Sequence, residues 1–188
     1  MTTTRFTQSA YRWYANTDSQ TPTDPWPAGA TDLVENEAMD VETGVKGGEV
    51  ARLRTSLFAS SSATLASTAT FKLQYAPGDT CSASLTWQDV GDTASTTALW
   101  RGYDNASVSD GATLSTSVLA STTVKETYEE QNNTLPNPNA ISVGAYAEWD
   151  WVLHNNGAAD GIQYCFRMVD SSGGTLSTYT NYPTLFTN

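Results

Sequence analysis

The sequence predicts an all-β fold, namely an antiparallel β-sandwich of the immunoglobulin-like or jelly-roll-like kind. Threonine, tyrosine and tryptophan are frequent, whereas charged residues make up only 15% of the 188 positions. This usage favours pleated, half-buried surfaces over helices. Apolar and polar residues alternate in several short stretches, and turn-forming residues recur about every 8 to 12 positions. A chain of this length can bury one core unaided, so we expect a single domain that spans residues 1–188.

Residues 161–169 carry the clearest strand signal, because every second side chain is apolar. Four side chains of this strand are predicted to point into the sandwich: Ile162, Tyr164, Phe166 and Met168. Cys165 and Arg167 would point away from it. Further core positions are predicted in the similar stretch 71–76 and in the tryptophan-rich stretch 147–154: Phe71, Tyr75, Trp149 and Trp151.

Eight or nine strands are predicted along the chain. In order, they cover residues 5–15, 49–60, 71–76, 84–88, 96–101, 112–119, 147–154, 161–169 and 176–186. The alternation in 112–119 is weak, which indicates an edge strand, and residues 124–133 are expected to be extended. The Asn156-Gly157 pair predicts a tight hairpin between the tryptophan-rich strand and the next one.

Two long polar segments interrupt this pattern, residues 16–48 and 103–138. Three prolines between positions 22 and 27 block helix and remove hydrogen-bond donors. The acidic part that follows, 32–42, lacks the alternating Asp/Asn loop of a dedicated calcium site, so only weak cation binding is an alternative there. We expect this part to be an extended arm that docks on a neighbouring subunit through four apolar residues: Leu33, Val34, Met39 and Val41.

The chain has two cysteines, Cys81 and Cys165. Cys81 follows the predicted strand 71–76, and Cys165 lies within the similar predicted strand 161–169. This placement suits a disulfide bond. Such a bond would close a long loop and stabilise the fold by about 4 kcal/mol in the chain-entropy account. Two free thiols are the alternative, because a particle assembled in a cytoplasm need not oxidise them.

The net charge of −11 repels phosphate backbones and anionic lipid surfaces, so neither nucleic acid nor membrane is an expected partner. No apolar run is long enough to span a bilayer, and the first residues lack the apolar core of a secretory signal. Either a signal was removed before Met1, or the protein is made in a cytoplasm and reaches the outside by another route. We expect a location on a virion surface or in the extracellular space.

Catalytic and metal motifs are not evident, and no cofactor is expected. His154 is the sole histidine, and its spacing from the two cysteines matches no metal-ligand pattern. A Gly-x-Ser-x-Gly elbow is missing as well. Carboxylates that could pair for glycoside hydrolysis are expected to lie on a solvated face instead: Glu126, Glu129, Glu130, Glu148 and Asp150.

Tryptophans can stack on sugar rings, so glycan binding is a further possibility. Trp149 and Trp151 share a face with Leu153 and are therefore expected in the core. Trp26, in the proline-rich loop, is the best candidate for an exposed sugar-binding residue. Trp87 and Trp100 are weaker candidates.

Several stretches together resemble a recurring β-sandwich module of giant bacterial surface proteins. They are residues 8–14, 52–54, 71–75, 127–132, 149–151 and 164–167. The resemblance implies a cysteine pair at the positions of Cys81 and Cys165. The resemblance implies a passive building block that has no catalytic residues.

A stand-alone domain of this style is similar in context to decoration and auxiliary proteins of tailed-phage particles. We therefore expect a non-enzymatic, homo-oligomeric structural protein that binds itself or a major shell protein. A filament subunit that exchanges strands between copies and a carbohydrate-binding module are the alternatives.

Overall fold

The computed structural model describes residues 5–27, 33–61 and 69–188, and it contains ten strands and no helix in these ranges. They are β1 (Phe6–Ala15), β2 (Val50–Ala59), β3 (Phe71–Pro77), β4 (Gln88–Asp89), β5 (Trp100–Arg101), β6 (Val124–Glu129), β7 (Tyr146–Asn155), β8 (Gln163–Asp170), β9 (Thr178–Tyr179) and β10 (Thr184–Phe186). The predicted all-β sandwich is confirmed. Three of the strands, β4, β5 and β9, are only two residues long.

Two sheets form the sandwich. The larger has the order β5-β7-β2-β1-β9, with β6 beside β5 on the same edge of β7, and the smaller has the order β10-β8-β3-β4. The long pairs β1–β2, β2–β7 and β3–β8 are antiparallel, as predicted. Two edge pairs, β6–β7 and β1–β9, are parallel, which the alternation of side chains could not reveal.

Aromatic side chains fill the space between the sheets. Trp13 of the larger sheet meets Phe166 of the smaller one edge to face, with ring centroids 5.6 Å apart, and Phe71 meets Trp149 at 5.2 Å. Edge-to-face contacts of this kind add to the stabilisation from burial. All six predicted core aromatics are buried: Phe71, Tyr75, Trp149, Trp151, Tyr164 and Phe166. Ile162 was wrongly predicted to point into the sandwich, because β8 begins only at Gln163 and Ile162 remains 38% exposed.

Four predicted strands are shorter than expected, divided or missing, and within 176–186 only β9 and β10 form. Only the last residue of 84–88 pairs, within β4, and only the last two residues of 96–101 form β5. Residues 112–119 form no strand beyond a single bridge between Thr113 and Thr127. Their carbonyl groups are bound by side chains instead, since Arg54 donates to Thr116 and Lys125 to Ser115.

The acidic segment, which the structure describes over residues 33–45, does not form a free arm, so that prediction is wrong. Its backbone pairs with the open edge of β10: the Met39 N–H donates to the Thr184 carbonyl (3.1 Å), and the Val45 N–H donates to the Phe186 carbonyl (3.0 Å). Gly44 makes this approach possible, because a Cβ there would lie 2.6 Å from the Phe186 carbonyl oxygen. The segment therefore covers the sheet edge of its own chain.

Candidate functional site

Four charged side chains are fully buried on the outer face of the larger sheet, and we call them the ionic quartet: Arg52, Arg54, Glu148 and Asp150. Antiparallel pairing of β2 with β7 places Arg54 directly opposite Asp150. The Arg54 Nε lies 2.8 Å from Asp150 Oδ2, and its Nη1 lies 2.7 Å from Glu148 Oε1. Arg52 binds Asp150 through both Nε and Nη2. Each charge is thus compensated, as burial requires.

The quartet also holds two surface loops over the sheet. The guanidinium groups of Arg52 and Arg54 both donate to the Gln20 carbonyl (3.2 Å each). Glu148 accepts hydrogen bonds from the N–H groups of Val118 (3.1 Å) and Leu119 (3.3 Å). Burial acts to lower the pKa of Arg54, but the charges of Asp150 and Glu148 outweigh it and raise that pKa above its usual value.

Three further glutamates at β6 are buried without a cation partner, namely Glu126, Glu129 and Glu130. Burial raises the pKa of Glu126 to about 7 and that of Glu129 to about 8. Glu126 Oε1 and Glu129 Oε2 have no hydrogen-bond partner. Burial also raises the pKa of Glu130, although its Oε1 accepts bonds from the Asn105 N–H and the Tyr128 hydroxyl at 2.8 Å each. Near neutral pH, the Glu129 carboxyl is therefore mostly protonated and the Glu126 carboxyl is partly protonated.

The prediction that these five carboxylates lie on a solvated face is wrong. All of them are at most 3% exposed. Alternation places Glu148 and Asp150 on the outward face of β7, which is correct, but this face is covered by loops that are distant in sequence. A signal was available: Arg52 and Arg54 point outward from the neighbouring predicted strand, where they can pair with the two carboxylates.

His154 lies at the end of β7, where its Nδ1 accepts a hydrogen bond from the Arg101 Nε at 3.1 Å. Partial burial, together with the charge of Arg101, lowers the pKa of His154. A ring nitrogen that accepts from a guanidinium is neutral. Among the residues that the structure describes, no three His, Cys, Asp or Glu side chains are arranged to hold a metal ion.

The tryptophans divide into two groups. Trp13, Trp100, Trp149 and Trp151 are at most 2% exposed, which removes Trp100 as a sugar platform. Trp26 is half-buried rather than exposed, and its indole N–H donates to the Thr43 carbonyl. A cavity of about 180 Å³ adjoins it, lined in part by Glu42 and Lys46. Trp87 is also half-buried.

Trp87 belongs to a cluster on the outer face of the smaller sheet, which we call the arginine–aromatic cluster: Trp87, Arg167, Tyr179 and Tyr182. The Arg167 guanidinium lies 4.2 Å from the centre of the Trp87 ring and 5.9 Å from that of Tyr179. Tyr182 stacks on Trp87 at 5.8 Å and on Tyr179 at 5.1 Å, with interplanar angles of 20° and 16°. Sequence reasoning missed this cluster, since its members come from three separate segments.

A disulfide joins Cys81 to Cys165, with Cα atoms 5.6 Å apart. Cys165 lies in β8 on the same face as Arg167, so the bond fastens residues 78–87 over the smaller sheet. Trp87 ends this loop, and its indole N–H donates back to the Ser82 carbonyl at 3.2 Å. Both outer faces of the sandwich therefore carry covering loops, one held by ion pairs and the other by a covalent bond.

The residues predicted to contact a neighbour lie in different environments. Leu33 and Met39 are 7% and 0% exposed and belong to the core, so for them the prediction is wrong. Their apolar side chains fill the space where the acidic segment crosses the sandwich. Val34 and Val41 are 60% and 50% exposed and are free to contact another surface.

No protein-family model, curated protein or solved structure matches the chain. The resemblance to bacterial surface modules therefore stays a prediction. The described ranges contain no helix of the length and apolarity needed to cross a bilayer.

Proposed function

We propose that the protein is a non-enzymatic structural subunit on the outside of an assembly, as a decoration or auxiliary protein of a tailed-phage particle. The observation that carries this proposal is the use of the buried charges. In the ionic quartet, Arg52 and Arg54 donate hydrogen bonds to backbone carbonyl groups of the covering loops, and Glu148 accepts them from backbone N–H groups. Charged side chains that could otherwise take part in catalysis are thereby used to hold surface loops in place.

The first and last strands of the chain support the same role. β1 is paired on both sides, by β2 and β9, and β10 lies between β8 and the acidic segment. Each protomer thus completes its own sandwich. This arrangement suits a block that attaches through its surface, and it gives less support to a filament subunit that donates a strand to the next copy.

The acidic segment supplies the contact surface in this proposal, through Val34 and Val41. Hydrogen bonds within two turns hold these side chains outward. The Val34 N–H donates to Glu37 Oε2 at 2.8 Å, and the Thr43 N–H donates to Asp40 Oδ1 at 2.9 Å. Hydrogen bonds from Thr43 also lower the pKa of Asp40, so this turn keeps its charge in mild acid. Two ordered apolar side chains in an acidic surround favour a neighbour with a small apolar patch and basic rim.

Immunogold electron microscopy of particles from the organism that encodes the chain tests this proposal. We expect label at regular positions on the particle exterior. Label confined to soluble material, with none on particles, would contradict it.

A matched pair of variants tests the contact surface. We expect Val34→Asp combined with Val41→Asp to abolish rebinding of purified protein to stripped particles, because it places two charges in an apolar contact. Val143→Asp is the control, since Val143 is also an exposed valine (46%) but lies in another loop. Equal rebinding by both variants would show that the acidic segment is not part of the interface.

A further inference from the structure

Arg167 differs from the other two buried arginines in having no carboxylate beside it. It is 6% exposed, yet the ion pairs of the described residues involve only Arg52, Arg54 and Lys72. Its Nη1 has no hydrogen-bond partner. Burying a cation without a counter-charge costs folding free energy, so a buried, unpaired arginine needs an explanation.

The partners that Arg167 does have are neutral. Gln74 Oε1 accepts bonds from its Nε (3.0 Å) and Nη2 (2.8 Å). Gln74 in turn donates to Asp89 Oδ1 at 2.8 Å, and Asp89 is already paired with Lys72. The carboxylate that Gln74 contacts is therefore already paired with another cation. Burial consequently lowers the pKa of Arg167.

The side chains around the guanidinium group are aromatic and reach the surface. Trp87, Tyr179 and Tyr182 are each half-buried, and they stand between Arg167 and solvent. Tryptophan and tyrosine rings bind the C–H faces of sugars, while a guanidinium group binds a carboxylate through two parallel hydrogen bonds. A uronic acid offers both a carboxylate and an apolar ring face.

We propose that the arginine–aromatic cluster is a binding site for acidic saccharides, in which the carboxylate of a uronic acid pairs with Arg167. The sugar ring packs against Tyr182 and Trp87. Arg167 Nη1 is buried and the guanidinium group lies against the Trp87 ring, so the carboxylate reaches Nη1 only when the Trp87 side chain turns outward. This movement changes the surroundings of the Trp87 indole. The site is independent of the proposed attachment through Val34 and Val41.

Calorimetric titration with tetragalacturonic acid tests the proposal, with maltotetraose as a neutral tetrasaccharide for comparison. We expect saturable binding of the acidic sugar alone, accompanied by a change in tryptophan emission that is lost in Trp87→Phe. No binding by the wild type, or equal binding of both sugars, would overturn the assignment. So would displacement of the sugar by an equal concentration of sodium phosphate, because the site would then recognise a bare anion.

Three variants locate the site on the protein. We expect Arg167→Gln to weaken binding at least about tenfold, because the charge-assisted pair is lost, and Tyr182→Ala to weaken it through loss of ring contact. Trp26→Ala is the matched control, since Trp26 is the other half-buried tryptophan. Thermal melting verifies that each variant is folded. Unchanged binding by folded Arg167→Gln, or loss of binding in Trp26→Ala alone, would refute this location.

Discussion

Replacing Glu129 with glutamine should stabilise the protein in mild alkali and leave it nearly unchanged in acid. Glu129 is 3% exposed, its Oε2 has no partner, and burial raises its pKa from 4.5 to about 8. The folded state thus holds this proton more tightly than the unfolded chain. The stability that the protonated carboxyl contributes is complete below pH 4.5 and is lost as the pH rises through 8.

The size of the effect follows from the two pKa values. Between them, the free energy of unfolding falls by about 1.4 kcal/mol per pH unit on account of this group alone. Glutamine has the same shape as the protonated carboxyl and cannot ionise. Glu129→Gln should therefore exceed the free energy of unfolding of the wild type by only about 1 kcal/mol at pH 5 and by about 4 kcal/mol at pH 8. Glu126→Gln should behave in the same way, with a gain of about 3 kcal/mol, because the pKa of Glu126 is raised to about 7.

Urea unfolding followed by tryptophan fluorescence between pH 5 and 8 measures this difference. Glu148→Gln is the matched control, because Glu148 is equally buried but pairs with Arg54. Glu148→Gln should destabilise the fold by about 3 to 5 kcal/mol throughout this pH range, because it breaks this ion pair. The reasoning is refuted if Glu129→Gln shows the same pH dependence as the wild type, or if it is less stable at pH 8.

Three other outcomes follow from the packing. Arg54→Met should cost about 3 to 5 kcal/mol in urea unfolding, since two buried carboxylates lose their shared cation; a smaller cost would show that water enters the quartet. Gly102→Ala should destabilise the fold by about 3 kcal/mol or more, because its Cβ would lie 1.6 Å from the Glu130 carbonyl oxygen. Gly47→Ala should leave stability unchanged, because nothing lies within 4 Å of its Cβ. Equal effects of the two substitutions would contradict the packing. Replacing Cys81 and Cys165 together with serine should cost about 4 kcal/mol, and an unchanged urea midpoint would show that the bond adds no stability.

Side-chain alternation was enough to predict the inner faces of the sandwich. Trp149 and Trp151 recur at every second position of β7, and a strand that buries one face must place such residues inward. Strand ends were less predictable, because pairing depends on a partner elsewhere in the chain. Ile162 continues the alternation of β8 but lies outside the paired region.

The outer faces could not be predicted in the same way. Arg52 and Asp150 were correctly expected to point outward, but whether an outward face meets water depends on loops that arrive from elsewhere in the sequence. The acidic segment posed the same difficulty. Leu33 and Met39 have no regular spacing, and only their packing in the folded chain shows that they are core residues.

The ionic quartet has a consequence for behaviour on heating. Hydration of charged groups becomes less favourable as temperature rises, so the cost of keeping Arg52, Arg54, Glu148 and Asp150 dry declines in hot solution. The attraction among them persists. We therefore expect the loops around Gln20 and Val118 to remain bound to the sheet close to the melting temperature and to resist proteases there.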